Sequence, residues 1–392
     1  MKRTILIAAI LVLGFNLSAQ TTIDTVLSEI EKNNTSLAAF RKSIDAEKIG
    51  AKTGMTPQNP EVEFNYLFGN PSAIGNRTDF SIKQSFDFPT AYVYKSQISN
   101  LKNEQVELEY TKQRAEVLYQ ARVLCARLIY YNALNIELGK SRDNALKVAE
   151  AYKTKFGAGD VGILEYNKAQ VTLLEVSKKL ENNEIEQNAL LSELALLNGG
   201  NAISFADSQF PLQAVPADFD QWYALAEANN PLLQWVKQEI TISEKQVKLN
   251  SAMSLPKLYG GYMSEKVVGQ KYQGVTLGLT IPLWENKNTV NYAKAKNLAM
   301  QSVESDTKLQ FYNQMKATHT KLIALQNNAA DYRSKLVLYS NSELLGKALE
   351  KGEISLTEYL YELSLYYESI YTLLELEMTT NLAFLELTKF QY

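Results

Sequence analysis

The chain has 392 residues, 21% of them charged, and a formal charge of −3. The length allows two ordinary domains, and the absence of any basic run excludes the electrostatic footprint of a nucleic-acid binder. One cysteine, Cys125, and one histidine, His319, leave no internal disulfide, no Cys/His metal cluster and no nucleophile–base pair, so neither an enzyme nor a cofactor is expected.

The chain opens MKRTILIAAILVLGFNLSAQ. Lys2 and Arg3, an apolar run from Ile5 to Phe15 and the small-residue exit Leu17-Ser18-Ala19 have the layout of a secretory signal peptide, cleaved after Ala19. The run is well short of the roughly 20 apolar residues that span a bilayer. No cysteine lies near the cut, so the mature N-terminus is expected without a lipid.

A helix is expected over about 22–54, followed by two strands in the segment 61–88. Val62, Phe64, Tyr66 and Phe68 alternate with Glu63, Asn65 and Leu67. After the loop GNPSAIGN, Phe80, Ile82, Phe86 and Phe88, with only Gln84 interrupting, alternate with Asp79, Ser81, Lys83, Ser85 and Asp87. This period of two marks strands with one apolar and one polar face. Two long helices follow, over 90–155 and 161–198, with little glycine and no proline to break the first.

A linker over 201–219 is rich in Gly, Pro, Asn and Asp, and the order then repeats. A helix is expected over about 220–252, a hairpin over 257–283, and long helices over 288–350 and 354–390. In the second hairpin Val275, Leu277, Leu279, Ile281 and Leu283 alternate with Thr276, Gly278, Thr280 and Pro282. The two halves align with a slowly drifting offset. Asn33-Asn34 matches Asn229-Asn230, Pro60 matches Pro256, Gly159-Asp160 matches Gly352-Glu353, and Glu165-Tyr166 matches Glu358-Tyr359. The chain therefore divides into repeats over 20–200 and 220–392, two copies of one large unit.

Heptad spacing runs through the long helices. Met315, Leu322, Ala329 and Leu336 are seven apart, beside Leu325 and Tyr332. Leu356, Leu360, Leu363, Tyr367, Ile370 and Leu374 follow the same rule near the end, and Tyr166, Leu173, Leu180 and Leu194 follow it less strictly. These are coiled-coil seams, and sixty helical residues reach roughly 90 Å. The fold class is mainly α with a small β part.

The apolar strand faces require a solvent. They pack either against helices, in a small sandwich, or against lipid. Strands of about 9–11 residues have the length that tilts across a bilayer. A sheet exposed to lipid must close, and four strands cannot, because known small barrels need about eight. A barrel therefore requires an oligomer: eight strands in a dimer, twelve in a trimer.

The ordered set of elements resembles the TolC family of outer-membrane efflux proteins, over essentially the whole mature chain. The resemblance rests on the openings NNTSLAAFRKSIDAEK and NNPLLQWVKQEITISEK, the strand ends SFDFP and TIPLWE, and the paired turns GDVGILEYNKAQ and GEISLTEYLYEL. It implies a homotrimer with a twelve-stranded outer-membrane barrel over a helical periplasmic tunnel. It also implies partners, a periplasmic membrane-fusion (adaptor) protein and an inner-membrane RND-type pump, and a passive export role. The compact length and the NPEVEF stretch look most like the CusC/CzcC-like heavy-metal branch. A structural or tethering coiled-coil protein of the periplasm is the alternative.

Candidate site residues follow. Phe80, Ile82, Phe86, Val275, Leu277, Leu279 and Ile281 are expected to face lipid. Gly157, Gly159, Asp160, Val161 and Gly162, with their copy Lys351, Gly352, Glu353 and Ile354, are expected at the tips where an adaptor docks. The FGAGDVG stretch contains a literal GxGxxG, but a long helix precedes it where a dinucleotide site needs a strand, so it is read as a helix C-cap and turn. Glu165 and Glu358 follow the two turns. Each reads as a helix-start carboxylate. The resemblance implies that the position of Glu358 lines a pore constriction, with Tyr361 where a second acid can stand and Glu362 beside it.

Overall fold

The computed structural model describes residues 23–339 and 342–391, so the expected leader over 1–19 lies outside the described residues. In chain order these residues form α1 (Ile23–Asn33), α2 (Thr35–Gly50), β1 (Glu61–Leu67), β2 (Arg77–Phe86), α3 (Pro89–Ala158), α4 (Ile163–Leu197), α5 (Phe219–Asn229), α6 (Pro231–Met253), β3 (Lys257–Val267), β4 (Gln270–Thr280), α7 (Thr289–Tyr339), α8 (Ser342–Glu350) and α9 (Leu356–Leu387). Two compact units emerge, each drawn from both halves of the sequence. One comprises residues 39–113 and 223–313, the other the described residues up to 38 with 114–222 and 314–391.

Each opening helix expected from the sequence is two helices. The break falls at the repeated asparagine, which acts as an N-cap. The Asn34 side-chain oxygen accepts the Leu37 N–H at 2.8 Å. Asn230 does the same for Leu232 and Leu233, at 2.8 and 3.2 Å, with Pro231 at the first helical position. The helix expected over 288–350 is described as α7 and α8, on either side of 340–341, which lie outside the described residues. β1 has 7 residues, fewer than expected.

The first unit holds a single antiparallel sheet in the order β1-β2-β3-β4, so β1 and β4 are its two edges. Beside it, Glu107 of α3 accepts from both Arg41, at 2.7 Å, and Lys48 of α2. Their ammonium and guanidinium groups hold the Glu107 carboxyl below its ordinary value.

In the second unit α4 runs back along α3. Gln187 and Asn183 of α4 bond Asn132 and the Tyr131 carbonyl, while Gln170 reaches the Ala149 carbonyl. The core around Val26, Ile30, Cys125, Leu128, Leu194, Ile203 and Phe205 joins α1, α3, α4 and the segment after α4. The linker is therefore a packed strap. Ile203 and Phe205 are buried, the Asp207 carbonyl accepts from Asn132 at 2.9 Å, and Gln213 bonds Asn381. Of the seam positions expected from heptads, Met315, Leu322, Ala329, Leu356, Leu363, Tyr367, Leu180 and Leu194 are buried, while Leu325, Tyr332, Leu336, Leu360, Ile370, Leu374, Tyr166 and Leu173 are half-buried.

Candidate functional site: an amphipathic sheet and the helix tips

Strand register decides which side chains share a face, because directly paired residues point the same way. Val62 pairs with Ile82, Ile82 with Tyr262, and Tyr262 with Val275. Phe64 pairs with Phe80, Phe86 with Leu258, and Leu258 with Leu279. Phe80, Ile82, Phe86, Val275, Leu277 and Leu279 therefore stand on one side of one sheet, and Ile281 follows just past β4. Among the described residues no helix buries that face: Val275 is 84% exposed, Leu277 83% and Val62 66%. The sandwich alternative requires these side chains to be buried, so the sheet excludes it.

The opposite face is polar. It carries Glu63, Asn65, Asp79, Ser81, Lys83 and Glu265, with Arg77 bridging Asp79 at 2.8 Å and Glu265 at 3.3 Å. The Lys83 ammonium lies 4.5 Å from the centre of the Tyr259 ring. That ring lies against Gly278, where an added Cβ would come within 2.2 Å of it, so the ring needs a glycine opposite.

β3 was the strand least visible in sequence, because the Gly260-Gly261 pair interrupts its alternation. Sequence reasoning accordingly left Leu258 and Tyr262 out of the apolar face. At Gly261 the backbone of β2 approaches so closely that a Cβ would stand 2.3 Å from the Ile82 carbonyl oxygen.

The two tips share one construction. At the end of α3 the Gly159 N–H donates to the Phe156 carbonyl at 3.1 Å and the Asp160 N–H to the Lys155 carbonyl at 2.9 Å. At the end of α8 the Gly352 and Glu353 N–H groups donate to Leu349 and Ala348 at 3.1 and 2.9 Å. Gly159 and Gly352 both have positive φ, as this helix-ending motif requires. The literal GxGxxG is thus a C-cap and turn. Val161 and Ile354 pack inward on a cluster of Val148, Ala149, Tyr152, Tyr359 and Leu363, leaving the backbone of each turn outermost.

Glu165 and Glu358 each turn back on their own helix start. The Gly162 N–H donates to Glu165 Oε2 at 2.9 Å. The Ser355 N–H donates to Glu358 Oε2 at 2.8 Å, and the Glu358 N–H to Ser355 Oγ at 3.2 Å, a reciprocal capping box. The Ser355 backbone N–H foremost, with the Ser355 hydroxyl, holds the Glu358 carboxyl below its ordinary value. Tyr361 and Glu362 lie one turn further along α9, both exposed. α4 and α9 run side by side and parallel, with Lys168 bonded to Thr357 at 2.9 Å and Lys179 to Glu368 at 2.7 Å.

No family model matches the sequence, and no curated protein matches it. Solved structures do. The CmeC outer membrane channel of Campylobacter jejuni aligns with a TM-score of 0.75 at 15% identity, covering 94% of this chain and 84% of that one. CusC, described with its transmembrane channel formation, aligns at 0.76 and 14% identity, over 95% and 92% of the two chains. The outer membrane protein VceC of Vibrio cholerae aligns at 0.76 and 12% identity, over 93% and 95%.

The chain has the fold of these outer-membrane proteins. The resemblance to the TolC family read from the sequence is thereby borne out at the level of fold, CusC among the neighbours.

Within that fold the remaining candidate groups are structural. Cys125 is fully buried, and burial pushes its thiol up to about 12. His319 is 6% exposed, stands beside the Phe219 ring, and its Nε2 lies 2.7 Å from the Pro216 carbonyl oxygen. A carbonyl can only accept, so Nε2 carries the proton and pins the strap to α7. Tyr359 and Tyr367 are buried in the tip cluster, where Asn144 donates to the Tyr367 hydroxyl at 2.8 Å.

Proposed function

We propose that the chain is the outer-membrane channel component of a tripartite efflux system. The observation that carries this reading is a four-stranded sheet with one exposed apolar face, one polar face and two open edges, in a fold shared with outer-membrane channels. Hydrocarbon does not tolerate open edges. Three copies, with β4 of each pairing to β1 of the next, give twelve strands, apolar side outward and polar side toward the lumen. A tethering coiled coil has no use for such a face.

The helices then lie in the periplasm, and the two repeats, 20–200 and 220–392, each contribute one hairpin and one tip. The glycine-capped turns 157–162 and 351–354 are the docking surface for an adaptor protein, which links the channel to an RND-type inner-membrane pump. Glu358, Glu165, Tyr361 and Glu362 narrow the tunnel where the three copies converge, and like charges brought together there attract cations. Transport is passive: tip helices shift, the constriction widens, and small solutes, metal cations or drugs, pass. The protein performs no chemistry.

The test is assembly and conductance. Native mass spectrometry of the detergent-purified protein should give three chains, and the trimer should conduct in a planar bilayer. A stable folded monomer, or an assembly with no conductance, overturns the reading.

A further inference from the structure

The sheet row just beyond the apolar band has its own character. Tyr66 pairs with Thr78, Thr78 with Lys266, and Lys266 with Lys271, so the four cross all strands on the apolar side, at the hairpin ends. Each side chain ends in a hydrogen-bond donor, and two are cations. The Tyr66 oxygen accepts from Asn76 at 2.6 Å, which leaves its O–H free to donate.

Lys266 and Lys271 are exposed and directly opposite each other. Like charges so placed repel. Nothing nearby offsets this: among the described residues neither forms an ion pair, and Glu265 points to the other face, where Arg77 holds it. Closing the barrel does not help either. The side chains that β1 of a neighbouring copy presents on this face are Val62, Phe64 and Tyr66, none of them acidic. A paired cation on the lipid side of a barrel strand is expensive at mid-membrane and nearly free at the interface, so this row belongs at headgroup level, at the outer end of the strands.

We propose that the row Tyr66–Thr78–Lys266–Lys271 binds the phosphates of an outer-leaflet phosphorylated glycolipid. This rests on the barrel reading above and names the lipid that the barrel selects. Two ammonium groups side by side match a dianionic phosphate, and the phenol and the threonine hydroxyl extend the donor row toward β1. Below the row come Phe64 and Phe80 beside Ser264 and Gln273, and then Val62, Ile82, Tyr262 and Val275, which receive the acyl chains of the same molecule. Threefold repetition would give three such sites around the barrel.

The experiment uses the whole trimer in phosphatidylcholine vesicles, titrated with lipid A, a bis-phosphorylated glycolipid, and read by native mass spectrometry of bound lipid. Lys266→Gln/Lys271→Gln should weaken lipid A binding at least tenfold. Lys42→Gln/Lys237→Gln, which removes the same charge from exposed positions on α2 and α6, should leave it unchanged. In phosphatidylcholine alone the first double variant should be no less stable than the parent, because it relieves a repulsion. An inserted trimer whose Lys266/Lys271 variant binds lipid A as tightly as the parent overturns the lipid site while leaving the channel standing. Equal loss in both double variants overturns it too, since binding would then follow net charge alone. A chain that never inserts as a trimer overturns both.

Discussion

Replacing Leu277 with Arg probes the orientation of the sheet. Leu277 stands on the apolar face, opposite Gly260, six residues below Lys271 and four above Ile281. At about 3.3 Å per residue and a tilt near 40°, the stretch from Lys271 to Ile281 spans roughly 25 Å along the membrane normal, the height of a barrel's apolar band. In the proposed barrel Leu277 then stands near mid-membrane. A guanidinium there costs about 2–4 kcal/mol. The leucine is 83% exposed, so lipid would cover most of it, and losing that contact forfeits roughly a further 1–2.5 kcal/mol. The total is about 3–6.5 kcal/mol per protomer. Thr276 is the adjacent residue, paired with Gly261 on the polar face, and Thr276→Arg should cost under about 1 kcal/mol because its charge reaches water. The assay is urea unfolding of trimers refolded into lipid vesicles, followed by the loss of the trimer band. Equal costs for the two variants would refute the assignment of faces, and with it the barrel.

The helix caps give a second test: Asn34→Ala and Asn230→Ala should each lower stability by about 1–2 kcal/mol in chemical denaturation, and Asn34→Ala should cost more, because the Asn34 amide also donates to the Leu197 carbonyl at 2.8 Å. Glu358 should make tip stability pH-dependent. Its folded carboxyl lies below its ordinary value, so the capping contribution is complete above about pH 4.3, the unfolded value, and is lost as pH falls through the lowered one. Glu358→Gln should flatten that acid limb, measured by melting between pH 3 and 6 (a window of roughly one and a half units either side of the carboxyl range), and should reduce divalent-cation block in bilayer recordings. Cys125, buried and with its thiol pushed up to about 12, should resist maleimide at neutral pH in the trimer and react only after unfolding; native labelling at the rate of a free thiol would contradict this burial.

The faces of β2 and β4 were readable because a period of two survives any packing, and the exposed Val275 and Leu277 show it without interruption. β3 was harder to read because its glycines answer to the Ile82 carbonyl on a neighbouring strand, which local pattern cannot reveal. The heptads located the seams for the same reason that periodicity located the strands. The asparagine caps were visible as a repeat but not as helix breaks, since Asn34 is held as much by the distant Leu197 carbonyl as by its own helix. The strap looked like a spacer in composition, yet Ile203 and Phe205 bury it. At the tips, Glu358 read only as a helix-start carboxylate, and its pairing with Ser355 came from the structure, although the Ser-to-Glu spacing is that of a capping box. A constriction is a property of three chains around an axis, and no pattern within one chain encodes the distance between copies.

The unequal edges of the sheet set a condition on how the protein is made. A single copy presents β1, with 7 residues, and β4, with 11, as unpaired backbone on a surface that is apolar on one side. Such edges pair with whatever strand they meet. In the proposed trimer each of these edges is covered by the neighbouring copy, so the edges stay open to mispairing until the copies meet. Assembly then competes with mispairing, and the balance is set by how many free copies are present together.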